Sequence, residues 1–278
     1  MIARDLFVVS DIHGHYDELI SSLESAGFDE NNENHLLIVC GDIFDRGLDS
    51  LEVYKYLRRL SSKNKAIILR GNHDTMFTEF LKGEDSWFNF IYNGMKTTFD
   101  SFLERTMSFE SFIYIDLGLD MTDLDEKELD KIWNKYQDMT RKYILDNNEG
   151  ILEWFSSLPD YYETKNYIFT HGGIDVTVKD WHKPRYYPIN TYKYIKWDAL
   201  TWDDGSFFGK EITNTDKKVV IGHFGTEQLR KMYPEITKND KGNDYDILTR
   251  DDGKVIALDA TTVLSKKVNV LVIEDEII

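Results

Sequence analysis

Five short apolar runs in this chain each end in a turn that carries glycine together with Asp, Asn or His. Leu6-Phe7-Val8-Val9 leads into Ser10-Asp11-Ile12-His13-Gly14, and Leu36-Leu37-Ile38-Val39-Cys40 leads into Gly41-Asp42-Ile43-Phe44-Asp45-Arg46-Gly47. Ala66-Ile67-Ile68-Leu69 precedes Gly71-Asn72-His73-Asp74, Tyr167-Ile168-Phe169 precedes His171-Gly172-Gly173, and Val219-Val220-Ile221 precedes Gly222-His223. Fully apolar runs of this length alternating with helical patterns predict an α/β fold in which helices cover the sheet. In such sheets ligands bind outside the carboxyl ends of the strands. Glycine there lets the backbone turn sharply and approach a ligand.

Helical patterns fall near Tyr16–Ala26, Ser50–Leu60 and Thr75–Leu81, between the first runs. The middle, about residues 84–159, reads differently. Asp123 stands three residues before Glu126, a capping-box spacing, and Leu129, Ile132, Trp133, Tyr136, Tyr143 and Ile144 then recur at helical spacing. This predicts a long amphipathic helix within a helical insertion or cap on one domain spanning residues 1–278. The last third returns to β runs at Val255–Leu258 and Val268–Ile273, with Asp251-Asp252-Gly253 as a hairpin turn.

Two Asp, one Asn and three His at one edge, with no thiolate, suit borderline-hard divalent metals. Cys40 is the single cysteine, which excludes disulfide frameworks and Cys-based zinc sites; last in an apolar run, it reads as a core residue. Six ligands with one bridging carboxylate fit a two-metal centre. The net charge of −17 argues against nucleic acid or an anionic membrane as partner. It leaves a small anionic substrate open, because metal ions invert the local sign. With one cysteine and no signal-peptide pattern at Met1-Ile2-Ala3-Arg4-Asp5, the cytoplasm is the expected location.

Asp11-x-His13, Gly41-Asp42-x-x-Asp45-Arg46-Gly47, Gly71-Asn72-His73-Asp74, His171-Gly172 and Gly222-His223 together resemble the motifs of the phosphoprotein phosphatase family. That family lies within the calcineurin-like metallophosphoesterases, and the likeness is to its bacterial and phage branch of lambda-type protein phosphatases and diadenosine tetraphosphatases. The resemblance runs from about Phe7 to Thr262. It implies two β-sheets packed as a sandwich flanked by helices. It also implies that Asp11, His13 and Asp42 hold one metal ion. Asp42, Asn72, His171 and His223 would hold the second, with Asp42 bridging. His73 is the implied general acid, Asp45 the carboxylate behind it, and Arg46, Asn72 and His73 the implied phosphate contacts. Manganese is the expected metal, with Fe, Zn, Co or Ni as alternatives.

Two positions depart from the pattern. Asp74 stands where relatives often carry Glu, and Asp204, in Trp202-Asp203-Asp204-Gly205, stands where a second phosphate-binding Arg is common. Arg185 is the one Arg between His171 and His223 and is a weak candidate for that role. His15 is a further candidate beside the site. His35 and His182 read as surface residues, and Asp244, Asp246, Asp251 and Asp252 as a solvated face. The expected activity is a metal-dependent phosphatase with a Ser/Thr phosphoprotein-like phosphomonoester as substrate; the alternative is a dinucleoside polyphosphate or other nucleotide, or another small phosphate ester. A metal-binding regulatory protein of weakened activity is a lesser alternative.

Overall fold

The computed structural model describes residues 2–84, 86–104, 107–182 and 198–278. The described strands, in chain order, are β1 (Ile2–Val9), β2 (His35–Cys40), β3 (Ala66–Leu69), β4 (Tyr161–Glu163), β5 (Tyr167–Thr170), β6 (Lys218–Ile221), β7 (Leu248–Thr249), β8 (Val255–Ala257) and β9 (Leu271–Ile277). They form two sheets, ordered β3-β2-β1-β9 and β4-β5-β6-β8-β7. Within the first sheet β1, β2 and β3 are parallel and β9 runs antiparallel to β1. Within the second, β5, β6 and β8 are parallel, flanked by antiparallel β4 and β7. All five apolar runs therefore bring their carboxyl ends to one edge of the sandwich.

The two-residue period of a strand explains why these runs must be apolar throughout. Leu6, Val8, Leu36, Ile38 and Cys40 face the second sheet, where Phe169, Val220, Ile256 and Leu258 meet them. The alternate residues Phe7, Val9, Leu37 and Val39 face a helical layer. That layer contains α1 (Tyr16–Ala26), α2 (Ser50–Ser62), α3 (Asn72–Lys82), α4 (Trp87–Tyr92), α5 (Met95–Phe102), α6 (Phe109–Ser111), α7 (Glu126–Asn147) and α8 (Ile151–Ser156). The segment from 84 to 159 is thus helical and shares one core with α2, α3 and the first sheet. The outer face of the second sheet carries its own core, including Ile168, Trp181, Leu200, Phe207, Val219 and Leu229, with α9 (Ser206–Gly209) and α10 (Thr226–Met232) beside it.

Several boundaries differ from the sequence expectation for physical reasons. The last strand begins at Leu271, not Val268, because Val268 and Asn269 are buried in the preceding loop and Asn269 Nδ2 donates to the Tyr245 and Leu258 carbonyls. The α7 cap is Asp125 with Glu128, two residues later than Asp123 with Glu126; Asp125 Oδ1 accepts from Glu128 N–H and Glu128 Oε2 accepts from Asp125 N–H. Tyr143 on that helix is exposed rather than part of the core stripe. His35 is a half-buried surface residue: it opens β2 and packs its ring against Phe7, with centroids 4.8 Å apart. The 251–253 turn does join antiparallel β7 and β8. Cys40 is buried between the sheets, and burial pushes its thiol pKa up.

Away from the site, Asp275 on β9 ties the two sheets together. Its carboxylate accepts from Thr164 Oγ1 (2.5 Å), Asn166 N–H (2.9 Å) and Asn166 Nδ2 (2.6 Å). Burial opposes its ionisation, but these donors hold its pKa below the usual range. Asp275→Ala should therefore destabilise the chain by about 1–3 kcal/mol in urea unfolding near pH 7, the cost of stranding buried partners. A depressed carboxyl pKa stabilises above the unfolded-state value near 4 and is lost as pH falls through the folded value. The wild-type advantage should thus shrink in acid; an equal difference at pH 7 and pH 2 would contradict this.

Candidate metal centre

The edge is built by turns that force charged side chains into the left-handed backbone region. Asp11, His13, Asp42, Asp45, Arg46 and His223 all have φ between 48° and 72°. Non-glycine residues rarely adopt this region, and such strain gathers where a function over-determines the backbone. Hydrophobic anchors oppose it: Ile43 and Phe44, between Asp42 and Asp45, are fully buried, and the Phe44 ring meets Phe77 at 5.0 Å and Phe155 at 5.1 Å. Gly41 has φ +80°, and a Cβ there would lie 2.7 Å from Gly71 Cα and 2.8 Å from His171 Nδ1. At Gly222 a Cβ would collide with Ser10 Oγ and the Asp11 carboxylate.

Hydrogen bonds then stitch the turns together. Asp74, buried in the first turn of α3, accepts from Gly71 N–H (2.8 Å), Asp42 N–H (2.9 Å) and Ile43 N–H (3.2 Å). The shorter Asp side chain thus joins the α3 N-terminus to the loop after β2. His223 N–H donates to both Asp11 oxygens (3.2 and 3.0 Å), Ser10 Oγ–H donates to Asp11 Oδ2, and Thr262 Oγ1 donates to the Asp11 carbonyl (2.8 Å). The His223 and Thr262 bonds cross from one sheet to the other.

The structure brings Asp11, His13, Asp42, Asn72, His73, His171 and His223 together. Donor atoms of Asp42, His171 and His223 lie within 4.8 Å of one another, as do those of His13, Asp42 and His73. Asp11 Oδ1 is 3.9 Å from His13 Nε2, and Asn72 Oδ1 is 3.0 Å from His171 Nε2. Asp42 stands in both groups, with Oδ1 3.3 Å from His171 and Oδ2 3.7 Å from His13.

The donor set fits divalent metal. His13 Nδ1 bonds the Phe44 carbonyl (2.8 Å) and His171 Nδ1 bonds the Cys40 carbonyl (2.7 Å), while the His223 ring lies beside the Asp203 main chain. A main-chain carbonyl on one ring nitrogen fixes the tautomer and aims the other at a shared centre, the usual support for a metal-binding imidazole. His73 is held differently, because its Nδ1 lies 2.7 Å from the buried Asp45 carboxylate. Arg46 NH1 and NH2 donate to Nε2 of His13 (2.8 Å) and of His73 (3.0 Å).

Three residues at this edge have no role assigned from sequence: Gly94 and Thr98, which belong to a weaker likeness running from Trp87 through Asn93-Gly94 to Thr97-Thr98, and Asp259. Thr98 on α5 accepts from Asp45 N–H (2.9 Å) and donates to Asp45 Oδ1 (2.6 Å), while the Gly94 carbonyl accepts from Arg46 N–H (3.1 Å). The helical segment therefore braces the Asp45-Arg46 turn. Its spacing from Asn93-Gly94 was the available signal. The third is Asp259, buried after β8 beside Asp11 and Asp42, with its pKa raised to about 6, mainly by burial. No motif marked it. Arg185 lies outside the described residues. Asp204 does not stand free near a phosphate: its Oδ1 accepts from Ser206 N–H (3.0 Å) at the start of α9. His15 is nearly buried, 3.5 Å from Glu18. His182 is exposed, as expected, and pairs with Glu163 at 2.8 Å.

Protonation differs across the imidazoles of His13, His171 and His223. Burial and the Arg46 charge keep His13 well below the usual range, and burial with the His171 charge takes His223 down to about 3. Burial opposes charge on His171 as well, yet the Asp42 and Asp11 carboxylates and the Cys40 carbonyl hold its pKa at about 10. Both its ring nitrogens face acceptors, as an imidazolium requires. A metal taking Nε2 must displace that proton. Calorimetric titration with Mn²⁺ near pH 7.5 should therefore release at least one proton, seen as a heat that varies with the ionisation enthalpy of the buffer. A heat independent of buffer would contradict this assignment.

Known proteins share the fold and part of the sequence. The calcineurin-like phosphoesterase family profile matches residues 5–257. An asymmetrical bis(5'-nucleosyl)-tetraphosphatase, PrpE of Bacillus velezensis, is 31% identical over 97 residues, 33% of this chain and 38% of that protein. A symmetrical bis(5'-nucleosyl)-tetraphosphatase of Buchnera aphidicola is 38% identical over 96 residues, 29% of this chain and 34% of that protein. The matched stretch thus spans little more than a third of either relative. The cold-active protein-tyrosine phosphatase of a psychrophilic Shewanella has the same fold, with TM-score 0.52 at 17% identity over 97% of this chain and 75% of that one. Among the described residues no helix is long and apolar enough to cross a membrane. The family match over most of the chain and the His/Asp cluster agree: this chain belongs to the calcineurin-like phosphoesterase family.

Proposed function

We propose that the chain hydrolyses dinucleoside polyphosphates, of the diadenosine tetraphosphate type, at a dinuclear centre. The observation that carries the reaction class is the convergence of three imidazoles, those of His13, His171 and His223, on one carboxylate, Asp42, beside a buried His73–Asp45 pair. A pure binding protein has no need of that second pair, which speaks against a regulatory role. The substrate class follows the named sequence relatives, which are nucleosyl-tetraphosphatases. A phosphoprotein substrate, the first expectation from the motifs, has only a shared fold behind it and stands second.

In this reading Asp11, His13 and Asp42 hold one ion, and Asp42, Asn72, His171 and His223 the other, with manganese the first choice. Such ions supply Lewis acidity and charge neutralisation at the phosphoryl group. Arg46 offers a planar fork to phosphate oxygens. Arg46, which here donates to His73 Nε2, turns to the phosphate in this reading, and His73 then presents a protonated Nε2 to the leaving oxygen while Asp45, through Nδ1, orients the ring. Thr98 keeps Asp45 in place. Asp45 lies on the same β2–α2 turn as Asp42, and His73, at the start of α3, donates its N–H to Asp42 Oδ1 (3.0 Å), so the acid is fixed relative to the shared carboxylate.

Under saturating Mn²⁺, kcat/KM for diadenosine tetraphosphate should exceed that for phosphoserine peptides by at least tenfold; the reverse order would replace the proposed substrate with phosphoprotein. His73→Asn should retain both ions by metal analysis and lose about 10²–10⁴-fold on a phosphoserine peptide, the worth of a positioned general acid. The loss should be smaller on p-nitrophenyl phosphate, whose leaving group departs unprotonated. A missing ion in that variant, or equal losses on both substrates, would make His73 a ligand instead.

A further inference from the structure

A cavity of about 360 Å³ opens directly beside the second ligand group, and neither the family nor the motifs assign it. Its walls come from the segment after His171-Gly172 and from the Trp202 turn: Gly173, Ile174, Val176, Thr177, Trp202 and Phe207 line it, together with Lys210 and three carboxylates. The cavity adjoins the metal centre through Trp202, whose ring lies 5.7 Å from the His223 ring, and Asp203, next in the chain, lines the cavity as well. The cavity thus begins one ring away from the His223 side of the centre.

The lining restricts what that group can be. The volume is at the low end for small-molecule sites, roughly 300–1,000 Å³, and suits a compact ring system rather than an extended peptide. The surface is mainly apolar, with an indole and a phenyl ring, which favours a flat aromatic occupant. Asp175, Asp203 and Asp204 line it too and repel a second phosphate, while offering acceptors to amino groups. Asp203 and Asp204 are held still, because they accept from Phe207 N–H (2.9 Å) and Ser206 N–H (3.0 Å). Gly173 is required where it stands: a Cβ there would lie 2.6 Å from the Phe207 ring and push into the cavity wall.

We propose that this cavity is a nucleobase subsite, taking an amino-bearing purine ring of a substrate whose phosphate sits at the metal centre. The proposal extends the dinucleoside polyphosphate reading but is testable apart from it. With the Mn²⁺-loaded protein and p-nitrophenyl phosphate as reporter, AMP should inhibit at least tenfold more tightly than ribose 5-phosphate, the usual worth of one stacked base. Thr177→Trp, which fills the cavity, should bring the two inhibition constants together. Photolabelling of the wild type with 8-azido-AMP should mark peptides from 173–177 or 202–210, and it guards against a variant that fails to fold. Equal inhibition by AMP and ribose 5-phosphate, a preference that survives Thr177→Trp, or labelling elsewhere would overturn the subsite. A retained AMP preference without turnover of diadenosine tetraphosphate would remove the proposed substrate and leave the subsite standing. Turnover without the preference would do the opposite.

Discussion

Hydrogen bonds that cross between the two sheets at their carboxyl edges hold the candidate centre together. His171 on the second sheet bonds the Cys40 carbonyl on the first, and His223 N–H grips the Asp11 carboxylate. Thr262 secures the Asp11 carbonyl from the same side. Separate sheets would otherwise be free to slide, because the apolar layer between them is non-directional. The cross-sheet bonds convert a packed sandwich into a fixed arrangement of donors at one point. They also explain why glycines crowd this edge: at Gly41 and Gly222 any side chain would part the two sheets.

The first sheet has a second support in the helical layer. Phe44 is pinned among Phe77, Phe102 and Phe155, with ring centroids 5.0–5.5 Å away. It sits between Asp42 and Asp45, so the aromatic core directly sets the separation of Asp42 from the Asp45–His73 pair. Thr98 and Gly94 reach in from the other side. Packing density in such a core leaves little freedom for the loop, and the left-handed residues within it are tolerated on that account. Stability and chemistry share the same residues at this edge.

Much of the architecture was readable from the chain itself. The apolar runs, their alternation with helices and the residues at their ends follow from local pattern, and the structure places β1, β2, β3, β5 and β6 where that pattern puts them. What was not readable is tertiary. Asp259 has no motif, and only the folded chain shows its carboxylate beside Asp11 and Asp42. The three backbone N–H groups gathered by Asp74 come from two different loops. The α7 cap went to Asp125 because two acids two residues apart both satisfy the spacing, and local sequence does not choose between them. The Trp202 cavity joins the segment after His171 to a turn some 30 residues on, a contact that sequence spacing alone does not encode.

Everything proposed for the chemistry depends on Asp42 serving as the carboxylate shared by two ions. Anomalous diffraction from crystals of the Mn²⁺-loaded protein measures this most directly. Two peaks about 3.5–4 Å apart are expected, as in other two-metal phosphoesterase sites, with one Asp42 oxygen between them and His73 bound to neither. A single peak, or a peak ligated by His73 with Asp42 on one ion alone, would contradict a shared Asp42 and a separate acid.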